Sequence, residues 1–546
     1  MQHSKRRRLT SKLPARGLLE GPTSLKELFD WPADIIRNLA KKDGVLLDRL
    51  RSNLQIGIDL STDFSGYDTP PHILNVLVQA LSCRGVDLGP SPIQVCRNGD
   101  LNQDCQTILT RLAAHRVEHG LQPMLSCVFR DLNECLDKDT LNLLDSMEPT
   151  SQDAPEIAAA KHNAIMQLLL TRKTELFSKT AQAHCVCHGK KCSVRPEALR
   201  THINDRGVPG SDRRIQMNVA GTICKGWSTQ GKMRGLADKS MRPHNIWLAE
   251  RSSVQEDLIF QECTPRCNIK LIEESLPTHR VIRIWWGPQQ MGWPCVRERS
   301  FSVSINRKTV IWVGPETEEE IIEDFGAIFE RSRVVDGDML FCSHPDNVRD
   351  DICRRFARRG TFITGDCIGI NEENMLSNLM PQGMHSIYKE YSKVRAARQS
   401  QTGCFIADLS QHEGVRGRGG PCCPALLCNC QYIFSYAEMR FCTALEAMGT
   451  MGFHVHDIPD CPFTSPMKDL ACTDVLPISK MWQMVGNSMS MPALGAWMSY
   501  VLAHVIPVEK AYIGELGVVP PSTWHHLNSD TVSLGSSRHV WSHHLT

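Results

Sequence analysis

The stretch Ile56-Gly57-Ile58-Asp59-Leu60-Ser61-Thr62-Asp63-Phe64-Ser65-Gly66 decides the fold. A short apolar run breaks into small and polar residues, after which Ile73, Leu74, Val76, Leu77 and Leu81 recur at helical spacing. Strand, tight turn and helix follow one another, and the order then repeats. Ile93-Gln94-Val95-Cys96 ends near Asp100, and Leu125-Ser126-Cys127-Val128-Phe129 ends at Asp131. Strands alternating with helices predict the α/β class, with a parallel sheet covered by helices.

Outward from this core, residues 1–50 read as a basic arm with a short helical lead-in. The alternation pauses at about 136–210. Asp153-Ala154-Pro155-Glu156 reads there as a helix start with a capping box, and isoleucines and leucines at helical spacing run on to Leu176. This segment is expected to be a helical insertion ending in a His/Cys-rich loop. The sheet pattern resumes at Ile215, Met217 and Val219, which alternate into Gly221, and again at Leu258-Ile259-Phe260. Val281–Trp286 and Phe301–Ile305 flank a loop as a hairpin would. Residues 306–435 are irregular and locally basic, carrying Arg354, Arg355, Arg358, Arg359, Arg395, Arg398, Arg416 and Arg418. Helical patterning returns at 436–454 and 486–505, and 511–546 reads as a tail.

Composition excludes several classes. The 546 residues are 41% hydrophobic and 22% charged, ordinary values for a folded chain. A net charge of +1 means that any nucleic-acid surface must come from local clustering. Met491–Val508 is too short for a membrane span and is interrupted by Pro492, Ser499, Tyr500 and His504, so it reads as a core helix. Lys5, Arg6, Arg7 and Arg8 have no apolar run behind them. They read as a nuclear import signal or as a solvated arm, not as a secretory leader.

The 23 cysteines are scattered, and are expected to be reduced thiols in the nucleus or cytosol. Two clusters invite a zinc reading: His184, Cys185, Cys187, His188 and Cys192, and Cys422, Cys423, Cys428 and Cys430. Neither has paired Cys-x2-Cys knuckles, and adjacent or alternating cysteines chelate poorly, so packed or incidental thiols are expected and no metal.

The chemistry concentrates in Gly221-Thr222-Ile223-Cys224-Lys225-Gly226-Trp227-Ser228, followed by Gly231, Gly235 and Asp238. The stretch leaves a predicted strand, so Cys224 stands where ligands gather in open α/β sheets, and the glycines suit a loop that closes over a substrate. This segment resembles the nucleophile loop of the cytosine-C5 methyltransferases, Pro-Cys-Gln-x-Phe-Ser followed by spaced glycines and an aspartate. Cys224, Ser228, Gly231, Gly235 and Asp238 fall in step with it. Phe260-Gln261-Glu262-Cys263 resembles the family's Glu-Asn-Val element, and Gly292 to Arg299 its Gly-x-Pro-Gln-x-Arg-x-Arg. Arg440, Thr443 and Glu446 match its Arg-x-Leu-Thr-x-x-Glu helix, and Gly486-Asn487-Ser488 its closing element. The order of the five elements is the family's.

The resemblance implies a Rossmann-like S-adenosylmethionine methyltransferase sheet over 51–305, a target-recognition domain over 306–435 and a return to the large domain over 436–510. It implies S-adenosylmethionine as cofactor and DNA as partner, with RNA an alternative. It further implies Cys224 as the thiolate that adds to cytosine C6, Glu262 as the proton partner at ring N3, and Arg297 and Arg299 as forked holders of base and loop. Phe64, Gly66, Asp100, Asp131, Asn487 and Ser488 would take the cofactor.

The chain departs from the family at Ile223 for proline, at Lys225 and Cys295 for glutamine, and at Cys263 for asparagine. In the first turn only the last glycine survives, as Gly66. A lysine beside Cys224 has two readings: it favours thiolate, or it marks a pocket reshaped for another base or no longer used. A tRNA-directed enzyme and a catalytically silent nucleic-acid-binding homologue stand beside the DNA reading. A thiol hydrolase lacks a histidine near Cys224 to act as base. Each residue alone also has an ordinary role open to it: the acids as helix caps, Glu446 as a salt-bridge partner, Met448 and Met451 as core.

Overall fold

The computed structural model describes residues 17–195, 213–228, 231, 233–357, 380, 382–398, 403–416, 419–428, 432–472 and 476–508. The strands of its main sheet are β1 (Ile58–Asp63), β2 (Ile93–Gly99), β3 (Cys127–Phe129), β4 (Gln182–Cys185), β5 (Lys190–Ser193), β6 (Ile215–Gly221), β7 (Leu258–Cys263), β8 (His279–Trp286) and β9 (Arg299–Asn306). They lie in the order β5-β4-β3-β2-β1-β6-β7-β9-β8. The five strands from β3 to β7 run parallel, and each edge is finished by an antiparallel pair. This is the α/β class the alternation predicts, a Rossmann-like mixed sheet.

From β1 the chain builds β2 and β3 to one side, then returns to place β6 and β7 on the other. Strand order therefore reverses between β1 and β6, opening a crevice beyond their carboxyl ends. Every residue of β1 is buried, including Asp59, Ser61, Thr62 and Asp63, so its polar half has to be satisfied inside the protein. Asp63 accepts from Arg97 at 2.7 Å and from Asn218 at 2.9 Å, and Arg97 also reaches Glu250 on the helix Met241–Val254. Asn98 donates to Thr62 at 2.7 Å and to Asp68 at 2.6 Å. These bonds fix the floor of the crevice.

The lead-in is more than an arm. Residues 17–50 begin a helical layer (Leu25–Phe29, Trp31–Lys42 and Gly44–Ile56) that buries Leu28, Phe29, Trp31, Ile35, Ile36, Leu39 and Leu50 in the main core. Asn53 ties it to the late helix Met491–Ala503 by donating to the carbonyls of Leu502 and Val505 at 2.7 and 2.9 Å. That late helix is buried throughout, as expected. Among the described residues no helix is long and apolar enough to cross a membrane.

The insertion holds helices Lys138–Met147 and Pro155–Thr171, but it ends in the β4–β5 hairpin that extends the sheet rather than in a loop. The expected capping box is not made: Ala154 is the N-cap, and Asp153 instead accepts from Lys161 and from the Thr150 N–H, both at 2.7 Å.

The second unit is narrower than 306–435. β10 (Val310–Trp312) pairs with the late strand Val505–Pro507, and the helix Glu318–Phe329 packs its Phe325 on Trp286, Trp497 and Tyr500 of the main core. A separate apolar cluster holds Val348, Ile352, Tyr388, Tyr391, Phe405, Phe434, Tyr436 and Phe441 around a small sheet of β11 (Ile406–Asp408), β12 (Ile433–Ser435) and β13 (Arg440–Phe441). Lys5 to Arg8, the tail 511–546, Cys430, Arg358, Arg359 and Arg418 lie outside the described residues.

Candidate functional site

Two strand ends meet in the crevice. In the β6–β7 register Gly221 pairs with Glu262, and the Thr222 N–H donates to the Glu262 carbonyl at 3.2 Å. The chain then turns at Cys224, whose carbonyl accepts from the N–H groups of Trp227 and Ser228 at 2.9 and 2.8 Å. On the far side β9 pairs Phe301 with Glu262, which brings Arg299 alongside: its Nε lies 2.8 Å from Glu262 Oε1.

Cys224, Glu262, Arg297 and Arg299 thus share one neighbourhood, and the last three act electrostatically on the Cys224 thiol. Burial pushes Cys224 up to about 11, Cys263 and Glu262 push in the same direction, and Arg299 and Arg297 pull against them. Lys225 is not among the strongest influences on this thiol. It is exposed, and its charge acts on Asp238.

Arg297 departs from its expected part in base holding. It is buried, and its terminal nitrogens donate to the backbone carbonyls of Leu426 at 3.3 Å, Gly486 at 3.2 Å and Ser488 at 2.5 Å. Its fork fastens the 419–428 segment and the closing Gly486-Asn487-Ser488 turn to the main sheet. The closeness of that junction explains Gly486, where a Cβ would stand 2.5 Å from the Leu427 carbonyl. Arg297 and Ser488, both expected as site groups, thus clamp one another.

The loop after Cys224 folds back on itself. Gly235 N–H donates to the Gly226 carbonyl at 2.8 Å, and Gly235 takes φ +58° with its α-carbon against Trp227. Ser228 Oγ accepts from the Gly231 N–H at 2.9 Å, and a Cβ at Gly231 would run into the Lys225 carbonyl at 2.0 Å. The spaced glycines therefore serve close backbone approach within the loop. Residues 229, 230 and 232 lie outside the described residues.

At the end of β1, Phe64 and Gly66 both take left-handed conformations, φ 54° and 53°. Gly66 N–H donates to Asp100 Oδ2 at 2.9 Å, joining the first turn to the acid beyond β2. Burial pushes the Asp100 carboxyl up, against the hydrogen bonds from Asn102 and Gly66. Asp131, beyond β3, uses Oδ1 as a local cap for the Asn133 backbone and side chain at 2.9 and 2.8 Å. The closing element approaches from above: a Cβ on Gly221 would lie 2.8 Å from Met489 Cε and 3.6 Å from the Phe64 carbonyl. Asn487 is exposed at that edge, while Ser488 is buried and donates back to the Val485 carbonyl at 2.8 Å. A cavity of about 430 Å³, lined by His72, His115, Arg116 and Lys468, takes in none of these residues.

Glu446 proves structural. It closes a capping box with Thr443 and takes both arms of Arg440 at 2.8 and 2.9 Å. Part of the arginine patch is also internal: Arg354 pairs with Asp350, Arg398 donates to the Gly419 carbonyl at 2.8 Å, and Arg395 sits over the Tyr436 ring.

No family model and no curated protein matches the chain. Solved structures do. An S. pombe Dnmt2 methyltransferase aligns at 12% identity and TM-score 0.35 over 81% of this chain and 98% of its own. The Entamoeba histolytica methyltransferase EhMeth aligns at 12% identity and TM-score 0.34 over 82% and 98%. A Spodoptera frugiperda DNMT2 mutant aligns at 10% identity and TM-score 0.33 over 82% and 99%. These three carry the names Dnmt2 or methyltransferase, at identities and TM-scores that leave the reading of the site to its own residues.

Proposed function

We propose that the protein methylates C5 of cytosine in DNA by covalent catalysis from Cys224. The observation that carries this reading is the meeting of Cys224 and the Arg299–Glu262 pair at adjacent strand ends, beside the β1 turn. A thiolate adding to C6 makes an enamine of C5 and C6, and C5 then becomes nucleophilic. Glu262, oriented by Arg299, carries the proton that neutralises ring N3 as Cys224 adds. After methylation a base removes the C5 proton and Cys224 departs as thiolate, restoring the aromatic ring. The base has to leave its stack to reach a thiol this recessed.

The first turn fits S-adenosylmethionine. Gly66 has open space where a Cβ would be, Asp100 is a buried acid for ribose hydroxyls, and Asp131 keeps Oδ2 for an adenine amine. When bound, this cofactor supplies an electrophilic methyl. Phe64, Gly66, Asp100, Asp131, Asn487 and Ser488 would hold it.

RNA is the second reading, because the cysteine–glutamate chemistry acts on a base and is indifferent to the sugar. Transfer of labelled methyl to duplex DNA and to tRNA, run beside calorimetry with S-adenosylmethionine, tests both. Label in DNA supports the proposal, label in tRNA alone moves it to the RNA reading, and no heat with the cofactor leaves a binding homologue.

A further inference from the structure

We propose that Cys127, Cys185, His188 and Cys192 bind one structural zinc ion that staples the β4–β5 hairpin to the sheet. Three thiols converge on a single ring nitrogen: His188 Nδ1 lies 3.6 Å from Cys127 Sγ, 3.3 Å from Cys185 Sγ and 3.6 Å from Cys192 Sγ. All four ligand atoms fall within 4.8 Å of one another. An imidazole nitrogen offers one in-plane hydrogen or one lone pair, so hydrogen bonding accounts for one of these contacts and leaves two. A tetrahedral ion accounts for all three. With Zn–S of about 2.3 Å and Zn–N of about 2.0 Å, nitrogen and sulfur at a tetrahedral angle stand about 3.5 Å apart.

The local fold explains why these four meet. Cys185 ends β4, and Gly189 takes φ +62° in a turn closed by its N–H to the Cys185 carbonyl at 2.9 Å. His188 is thereby presented from the turn and Cys192 from the returning strand, where it pairs with Ala183. Cys127 comes from β3, 61 residues before His188, through the antiparallel Phe129–Cys185 pairing. The Val128 N–H points at Cys185 Sγ at 3.4 Å, the kind of backbone donor that steadies a metal thiolate. The knuckle is Cys-x2-His rather than Cys-x2-Cys, and its third sulfur is remote in sequence. Hence the local sequence pattern does not reveal it. Cys187 and His184, singled out with it, stay outside the group.

Four protein ligands close the shell, which makes the site structural rather than catalytic. β3 has only three residues and pairs with β4 at one position, so backbone bonding alone anchors the hairpin thinly. The same strand leads into Asp131, and its Phe129 carbonyl accepts from the Asp100 N–H at 3.1 Å. The metal therefore buttresses the edge that carries both acids of the first-turn region. Zinc binding itself does not depend on the methyl-transfer reading.

Elemental analysis of the full-length protein, equilibrated with zinc and dialysed, tests the site. One zinc per chain is expected, retained in Cys187→Ser and lost in Cys185→Ser/Cys192→Ser. Because the double variant risks misfolding, cobalt is also exchanged into the wild type. Intense tetrahedral d–d bands with thiolate charge-transfer bands are expected, weakened in Cys127→Ser, and three thiols should resist a disulfide reagent until a chelator is added. No bound metal in the wild type, a six-coordinate cobalt spectrum, or no chelator-dependent thiols would overturn the proposal.

Discussion

Arg299 Nε and Glu262 Oε1 stand 2.8 Å apart where β9 begins and β7 ends. The arginine thus sets its positive charge against the carboxylate, and the carboxylate, not the arginine, carries the proton chemistry in the proposed reaction.

From this pair, Glu262→Gln should lower single-turnover methyl transfer by about 10²- to 10⁴-fold, the usual worth of a positioned general acid. Arg299→Ala should cost less. Since Arg299 acts through Glu262, the double variant should be no worse than Glu262→Gln alone. Multiplicative losses would show that the two act independently.

The Cys224 thiol, pushed up to about 11 by burial, Cys263 and Glu262, sets a pH dependence. The reactive form is the thiolate, whose fraction grows as pH rises. Hence in a Glu262→Gln background, where no carboxyl proton is required beside the thiolate, kcat/KM should climb with pH about tenfold per unit, until the climb flattens near a Cys224 value of about 11. Arg299→Gln removes a charge that lowers the thiol, so its limb should move to higher pH. A profile already flat at neutral pH would mean that another group supplies the thiolate.

Arg297 satisfies three buried carbonyls, whereas Arg299 is partly exposed. Each carbonyl left without a donor costs about 1–3 kcal/mol. Arg297→Met should accordingly lower urea stability by about 3 kcal/mol or more, and Arg299→Met by less. The opposite ranking would place Arg297 in base contact rather than in the clamp.

Glu446 gives a stability signature. Burial would raise its carboxyl, but the hydrogen bonds and charge of Arg440 outweigh this and hold it below the ordinary value. A depressed carboxylate contributes stability above its unfolded pKa of about 4.3 and loses it as pH falls through the folded value. Glu446→Gln should cost about 3 kcal/mol at neutral pH, with the gap from wild type closing below about pH 4. Urea midpoints across that range check it.

Much of this arrangement was legible in the sequence, for reasons that differ by residue. β1, β6 and β7 announce themselves because apolar residues there sit between turn signals, and Cys224 draws notice because ligands collect at strand ends, whereas Glu262 is singled out by its resemblance to the Glu-Asn-Val element. The lead-in helices give little signal of their packing: Trp31 and Phe29 meet Gly452 and His454 across more than 400 residues. β4 and β5 are short, and β5 is polar, so period-two alternation gives them no signal. Arg297 has the sequence context of a base-holding residue, yet its donors go to a backbone that arrives from distant segments. Lys225 illustrates a second limit, since adjacency in sequence says nothing of which charge a side chain meets.

The most direct test traps the intermediate. Protein is incubated with S-adenosylmethionine and a duplex carrying 5-fluorocytosine, beside Cys224→Ala. Fluorine at C5 cannot leave as a proton does, so elimination of Cys224 is blocked once the methyl has moved. A denaturation-resistant protein–DNA adduct that disappears in Cys224→Ala is the predicted result. Methyl transfer to unmodified duplex with no such adduct, or an adduct that persists in Cys224→Ala, would contradict catalysis through Cys224.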